Sequence, residues 1–256
     1  IYDSVKNSYS LDKVESPEQF YITAKAFGRF AYDLNDFDAS QLVEVIPKFH
    51  DTRNRYRQLE EAIREDRVGR VKEVQEEIAF IQNRKADCFL LYDLLDEGVL
   101  PLRVTHNDTK LNNIMFDSET KEPLCIVDLD TVMPGLVLFD FGDSIRFGAN
   151  DCAEDEPDLS KVNFDFDLYE TYVKGFIEGT NGILTEAELE YLPWGARVIT
   201  LEQGIRFLTD YINGDIYYQT TRPGQNLDRA RTQSKLVQDM ENVRDKMVEA
   251  AQNAQK

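Results

Sequence analysis

Positive charge is scarce in this chain: 29 Lys and Arg stand against 48 Asp and Glu over 256 residues, a formal net charge of −19. No Lys/Arg-dense stripe offsets the acid, which argues against gripping a nucleic-acid backbone as a main activity. A nucleotide ligand stays open, because a divalent cation can screen its phosphates locally. Cysteine is scarce as well. Cys88, Cys125 and Cys152 show no CxxC spacing and cannot all pair internally, so a reducing, cytoplasmic setting is the simplest expectation. Long apolar runs are missing: none approaches the roughly 18 residues of a membrane span, and no signal-peptide pattern is visible. Neither an internal repeat nor a low-complexity linker interrupts the chain. Against these absences stand 42% hydrophobic and 11% aromatic residues, enough to bury a real core. The length suits one large or two modest domains.

Helical periodicity dominates. Ser16-Pro17-Glu18-Gln19 reads as an N-cap, a proline in the first turn and a capping-box partner. Phe20, Ala24, Phe27, Ala31 and Leu34 then recur at helical spacing. Residues 53–66 and 70–86 are highly charged, with narrow apolar stripes (Tyr56, Leu59, Ile63; Val74, Ile78, Ile81), and read as a solvated helical pair. A further helix over about 86–97 should end at Gly98. Later helices are expected from Leu136 to Phe147, Phe164 to Glu178, Thr185 (capping box with Glu188) to Ile212, and Leu227 to the end. The acidic stretch Asp151–Asp158 reads as a flexible surface connection. Between the helices the period changes. Ile114-Met115-Phe116 and Leu124-Cys125-Ile126-Val127 are short β-type runs around a turn-rich segment, a hairpin pattern. Cys125 reads as core. The fold class is therefore mainly α with a small β-hairpin.

"VTHNDTKLNNIMFD" (104–117) carries one of only two histidines and packs three asparagines, two aspartates and a lysine beside that hairpin. The hairpin brings the loop before its first strand next to the residues after its second. Asp108, Asn113 and Asp128 can then converge on one point. A phosphoryl-transferring site needs such parts: a carboxylate to orient a hydroxyl and accept its proton, and oxygen ligands for Mg²⁺. Turn chemistry alone would explain a lone Asp–Asn pair. A zinc site at His106 lacks a third nitrogen or sulfur ligand nearby, since His50 lies in a separate segment.

"HNDTKLNN" followed by "CIVDLD" resembles the catalytic loop and metal-binding segment of the kinase-like phosphotransferases, which include aminoglycoside phosphotransferases and choline kinases. The runs 128–149 and 202–215 resemble the N-acetylhexosamine 1-kinases within that superfamily. The resemblance implies Asp108 as catalytic base, and Asn113 and Asp128 as Mg²⁺ ligands toward bound ATP. Asp130 is a second-metal or supporting candidate. It also implies that Lys110 steadies the transferring phosphate and that His106 orients the loop. Asn107 stands where the wider superfamily commonly has glycine, and asparagine tolerates such backbone angles. A Gly-rich phosphate loop and a Val-Ala-x-Lys strand are missing. Ile1 to Leu11 resemble the segment after the family's hinge. All 256 residues therefore resemble the C-terminal lobe of a protein-kinase-like (α+β) fold, with the N-terminal nucleotide-binding lobe absent.

On the acceptor side, Asp140, Asp143 and Arg146 share one helical face, as a structural ion pair or as substrate contacts. Arg206 and Asp210 are four apart and could simply pair. Asp143, Arg146, Arg206, Tyr211 and Tyr217 are the candidate sugar contacts. The expected partners are a small-molecule sugar and ATP, with no nucleic acid and no membrane. A kinase for aminoglycosides, choline or a similar amino alcohol, and a non-catalytic binding module, remain the rival readings.

Overall fold

The computed structural model describes residues 4–255. A two-residue strand β1 (Ser8–Tyr9) precedes α1 (Pro17–Asp33), and α2 (Thr52–Glu65), α3 (Gln75–Gln82) and α4 (Lys85–Asp96) follow. Four short strands come next: β2 (Arg103–Thr105), β3 (Ile114–Asp117), β4 (Pro123–Ile126) and β5 (Met133–Gly135). The chain closes with α5 (Val137–Gly148), α6 (Phe166–Thr180), α7 (Glu186–Asn213), α8 (Gln225–Asn242) and α9 (Arg244–Asn253). Both sheets are antiparallel: β1-β3-β4 holds the expected hairpin, and β2 pairs with β5.

Local chemistry explains where the two principal helices start. The Ser16 hydroxyl accepts the Gln19 amide and Pro17 fills the first turn of α1. Only half of that capping box forms, because the Gln19 amide group turns to the Tyr9 hydroxyl instead. At α7 the box is complete: Thr185 Oγ1 accepts Glu188 N, and Glu188 Oε2 accepts Thr185 N. This 28-residue helix runs about 42 Å through the molecule at ~1.5 Å per residue and stops at Gly214, whose φ is +99°. Three apolar clusters surround it. One joins α1, α5, α6 and α9, a second α2, α3, α7 and α8, and a third α4, α5 and α7.

Five expectations need correction. The charged helices are not a solvated pair: Tyr56, Leu59, Val74, Ile78 and Ile81 are buried against α7 and α8. The 70–86 stretch breaks into a single 3-10 turn (Val71–Glu73), α3 and the start of α4. The closing helix divides at Val243, which lets Met247, Ala250 and Ala251 reach the α1–α6 core. The acidic loop 151–158 is tied down, with Glu154 on Arg146 and Asp155 on Arg222. Cys125 is half-buried, and all three cysteines are free thiols. The opening-segment expectation falls partly on residues 1–3, outside the described residues.

The α5–α7 crossing is the packing contact that positions the site. A Cβ on Gly142 would run into the carbonyl of Gly195, and one on Gly195 into the carbonyl of Leu138. The two backbones touch, so neither position has room for a methyl group. Gly195→Ala must push α5 off α7, and overpacking of this kind costs about 1–3 kcal/mol. Urea unfolding should show that loss with an unchanged m-value. Wild-type stability in this variant would mean that the crossing is loose.

Candidate active site

The loop after β2 is bonded at almost every residue. Asp140, in the first turn of α5, accepts the amides of His106 (2.8 Å) and Asn107 (2.7 Å) on its two carboxylate oxygens. Thr109 Oγ1 donates to the Asp140 carbonyl at 2.6 Å, and Ser144 Oγ donates to the Thr109 carbonyl at 2.6 Å. Thr131 Oγ1 closes the other side by donating to the His106 carbonyl at 2.7 Å. Burial pushes the Asp140 carboxyl up to about 6, against the pull of the two amides it accepts. Asn107 sits at φ +64°, the left-handed region that asparagine tolerates.

His106 bridges the loop and the hairpin. Its Nε2–H donates to the Val127 carbonyl at 3.0 Å, while Nδ1 accepts the Asp108 amide at 3.3 Å, which fixes one neutral tautomer. Asp108 is held from two sides. Lys110 Nζ stands 2.6 Å from Oδ1, and Asn113 Nδ2 donates to Oδ2 (3.0 Å) and to the Asp108 carbonyl (2.7 Å). This orientation leaves Asn113 Oδ1 turned away from the base. The Val127 amide donates to the Asn113 carbonyl at 2.9 Å, which places Asn113 beside the end of β4. Asp128 follows at once, exposed and left-handed (φ +61°), and Asp130 is exposed on the next 3-10 turn. Neither carboxylate has a side-chain partner among the described residues. Among those residues no group of three His, Cys, Asp or Glu side chains gathers as a metal cage. The candidate metal position rests on an amide oxygen and one or two carboxylates, a hard all-oxygen donor set that suits Mg²⁺.

A cleft of about 650 Å³ opens beside the loop. Asp108, Lys110, Asp143, Arg146, Arg206 and Tyr217 all line it, although they come from the loop, α5, α7 and the segment after α7. Asn113, Asp128 and Asp130 are not in its walls. Tyr211 is not there either: its hydroxyl donates to Glu73 and its ring lies under Arg70. Arg206 and Asp210 do not pair. Asp210 instead accepts the amides of Ile216, Tyr217 and Tyr218 and the Asn226 side chain, and so shapes the turn that presents both tyrosines.

Within the cleft Arg146 donates to Asp143 (2.9 Å) and Glu154 (2.9 Å). Burial alone would raise Asp143, but Arg146, His50 and Lys110 hold its carboxyl below the usual range. His50 is the residue that the sequence set aside. It is buried in the cleft wall between Glu202 Oε1 (2.9 Å from Nδ1) and the Asn107 carbonyl (3.0 Å from Nε2). Both partners accept, so both ring nitrogens donate and the ring is an imidazolium. Burial works against that charge, and the Glu202 carboxylate outweighs it, so the His50 pKa is raised. Phe49, Tyr218 and Arg229 complete the wall and carried no motif signal.

The family model of the phosphotransferase enzyme family matches residues 9–171. Three solved kinases have a similar fold. A microcompartment-associated aminopropanol kinase is 14% identical at a TM-score of 0.57, over 96% of this chain and 68% of that one. The Plasmodium vivax ethanolamine kinase is 10% identical at 0.58, over 90% and 64%. A choline kinase from Cryptosporidium parvum is 13% identical at 0.52, over 94% and 71%. The chain thus spans between 64% and 71% of their lengths. At such identities the structural likeness speaks for the fold, which is kinase-like. The family model covers well over half of the sequence and includes the whole loop and hairpin, and the chain belongs to the phosphotransferase enzyme family.

Proposed function

We propose that this chain is the C-terminal lobe of an ATP- and Mg²⁺-dependent sugar kinase that phosphorylates the anomeric hydroxyl of an N-acetylhexosamine. Asp108 orients that hydroxyl and accepts its proton, and Lys110 steadies the phosphoryl group. Asn113 and Asp128 hold Mg²⁺, which neutralises phosphate charge when bound. The ATP phosphates need a second, strand-rich lobe, and the five short strands described here form no such layer.

One observation favours a sugar over a cationic amino alcohol. Every carboxylate that lines the cleft is already matched by a cation: Asp108 by Lys110, and Asp143 and Glu154 by Arg146. Arg206 has no carboxylate partner among the described residues, only the Gln203 side chain at 3.0 Å. In a chain of net charge −19 this cleft offers no spare negative charge to an ammonium group. Hydroxyl groups, by contrast, find donors in Arg206 and Gln203 and flat rings in Tyr217 and Tyr218. The choice of N-acetylhexosamine among sugars rests on the sequence resemblance of 128–149 and 202–215.

With the nucleotide-binding lobe in place, N-acetylglucosamine should be phosphorylated at C1 in preference to choline or ethanolamine at equal concentration. Preference for either amine would overturn the acceptor assignment. Asp108→Asn keeps the shape and removes the base, so turnover should fall by roughly 10²–10⁴-fold with the fold intact. A loss below about tenfold, only ~1.4 kcal/mol, would mean that another group takes the proton.

Asp128 directly follows the residue bonded to Asn113, whereas Asp130 lies a turn further on. Asp128→Ala should therefore raise the Mg²⁺ requirement and depress the rate much more than Asp130→Ala does. Mg²⁺ titrations at saturating ATP compare the two variants. A larger defect in Asp130→Ala reverses the assignment, and equal defects make both carboxylates direct ligands.

A further inference from the structure

A second cavity, of about 420 Å³, lies between α2 and α7, and Asp108 is not in its walls. It shares Arg206, Tyr217 and Tyr218 with the acceptor cleft and adds Arg55, Gln58 and Thr209. Two of its three arginines are unusual for so acidic a chain; the third, Arg67, pairs with Glu65. Arg55 donates to Gln58 Oε1 (3.2 Å) and to the Phe49 carbonyl (2.7 Å), and no carboxylate pairs with it among the described residues. Arg206 is in the same position, held only by Gln203 and flanked by the rings of Phe49 and Tyr218. The acids at this cavity are committed elsewhere: Glu61 to Arg64, Glu65 to Arg67, and Asp210 to three backbone amides. Beyond its wall, buried Glu202 is bonded to His50.

Two donors in this region have no acceptor. Arg55 Nε and Thr209 Oγ1 are buried without a hydrogen-bond partner. A buried donor left unpaired costs about 1–3 kcal/mol, which makes such a pair costly in an empty cavity. Burial and the neighbouring Arg206 charge lower the Arg55 pKa and outweigh the opposing pull of Glu202, so the two guanidinium groups stand close together in a partly dry place.

We infer that this cavity binds a phosphate monoester, with the phosphate between Arg55 and Arg206. Two planar guanidinium forks supply donors that a dianion with three terminal oxygens accepts. The cavity is larger than a bare phosphate requires, and Tyr217 and Tyr218 wall the remaining space, so an organic body fits beside the anion. The inference does not depend on which acceptor the neighbouring cleft takes.

Calorimetric titration of this chain tests it with inorganic phosphate and with glucose 1-phosphate, at ionic strength fixed with chloride. Saturable one-to-one binding of glucose 1-phosphate is expected, and Arg55→Gln should weaken it at least about tenfold. Arg55→Lys keeps the charge without the fork and should retain weakened binding, which separates loss of the site from loss of the fold. Arg57→Gln, an exposed arginine on the same helix, should bind as wild type does. Tighter binding of glucose 1-phosphate than of inorganic phosphate identifies the ester as the ligand, whereas equal affinities reduce the inference to a free-phosphate site. Absence of saturable binding, or an unaltered affinity in Arg55→Gln, overturns it.

Discussion

The active-site loop depends on one buried carboxylate. Asp140 lies at the start of α5, and its two oxygens take the amides of His106 and Asn107. Burying a carboxylate is costly unless it is well bonded, and burying two unpaired amides is costly too. Joining them removes both penalties together. It also locks the backbone turn that carries Asn107 at φ +64° and aims Asp108 into the cleft. Because α5 touches α7 backbone to backbone at Gly142 and Gly195, the loop inherits the rigidity of the longest helix in the described structure. His50 adds a second tether, from the Asn107 carbonyl to Glu202 on that same helix.

Charge is arranged differently at the site and on the surface. Exposed ion pairs such as Arg29–Asp33 and Lys25–Glu178 contribute little, since water screens them. The cleft instead contains interlocked groups, buried apart from Glu154: His50 with Glu202, and Arg146 with Asp143 and Glu154. Removing one member of such a set leaves its partner as an uncompensated buried charge, a loss of several kcal/mol. The surplus acid of the chain therefore lies outside the cleft, while Arg206 in its wall has no carboxylate partner among the described residues.

Local signals made much of this legible. Ser16-Pro17 and Thr185-Glu188 marked the two principal helices, and the hairpin followed from two β-type runs around a turn. The position of Asn113, beside Asp108 and the end of β4, followed from that hairpin, because strand pairing is a short-range consequence of sequence. What was not legible depends on contacts between distant segments. Strands β2 and β5 are three residues each, too short to display an alternation, and exist because they pair with one another. His50 lies 57 residues from its partner Asn107 and 152 from Glu202, so no spacing rule could join them. The Arg206–Asp210 pairing that a four-residue offset allows does not form, because Asp210 satisfies three backbone amides of the following turn, a demand invisible to side-chain spacing.

The two ends of the proposed site are prepared to different degrees. At the base end Asp108 receives donors on both oxygens and sits on a loop with hardly an unused hydrogen bond. At the proposed metal end Asp128 is exposed, left-handed and without a side-chain partner. An exposed carboxylate loses little by standing alone, because water solvates it, whereas a buried one would have to be paired or protonated. The protein can therefore keep Asp128 open at small cost while it fixes Asp108 tightly. That asymmetry suits a group-transfer site in which the hydroxyl must meet a positioned base, while the cation completes its shell with phosphate oxygens that the substrate brings.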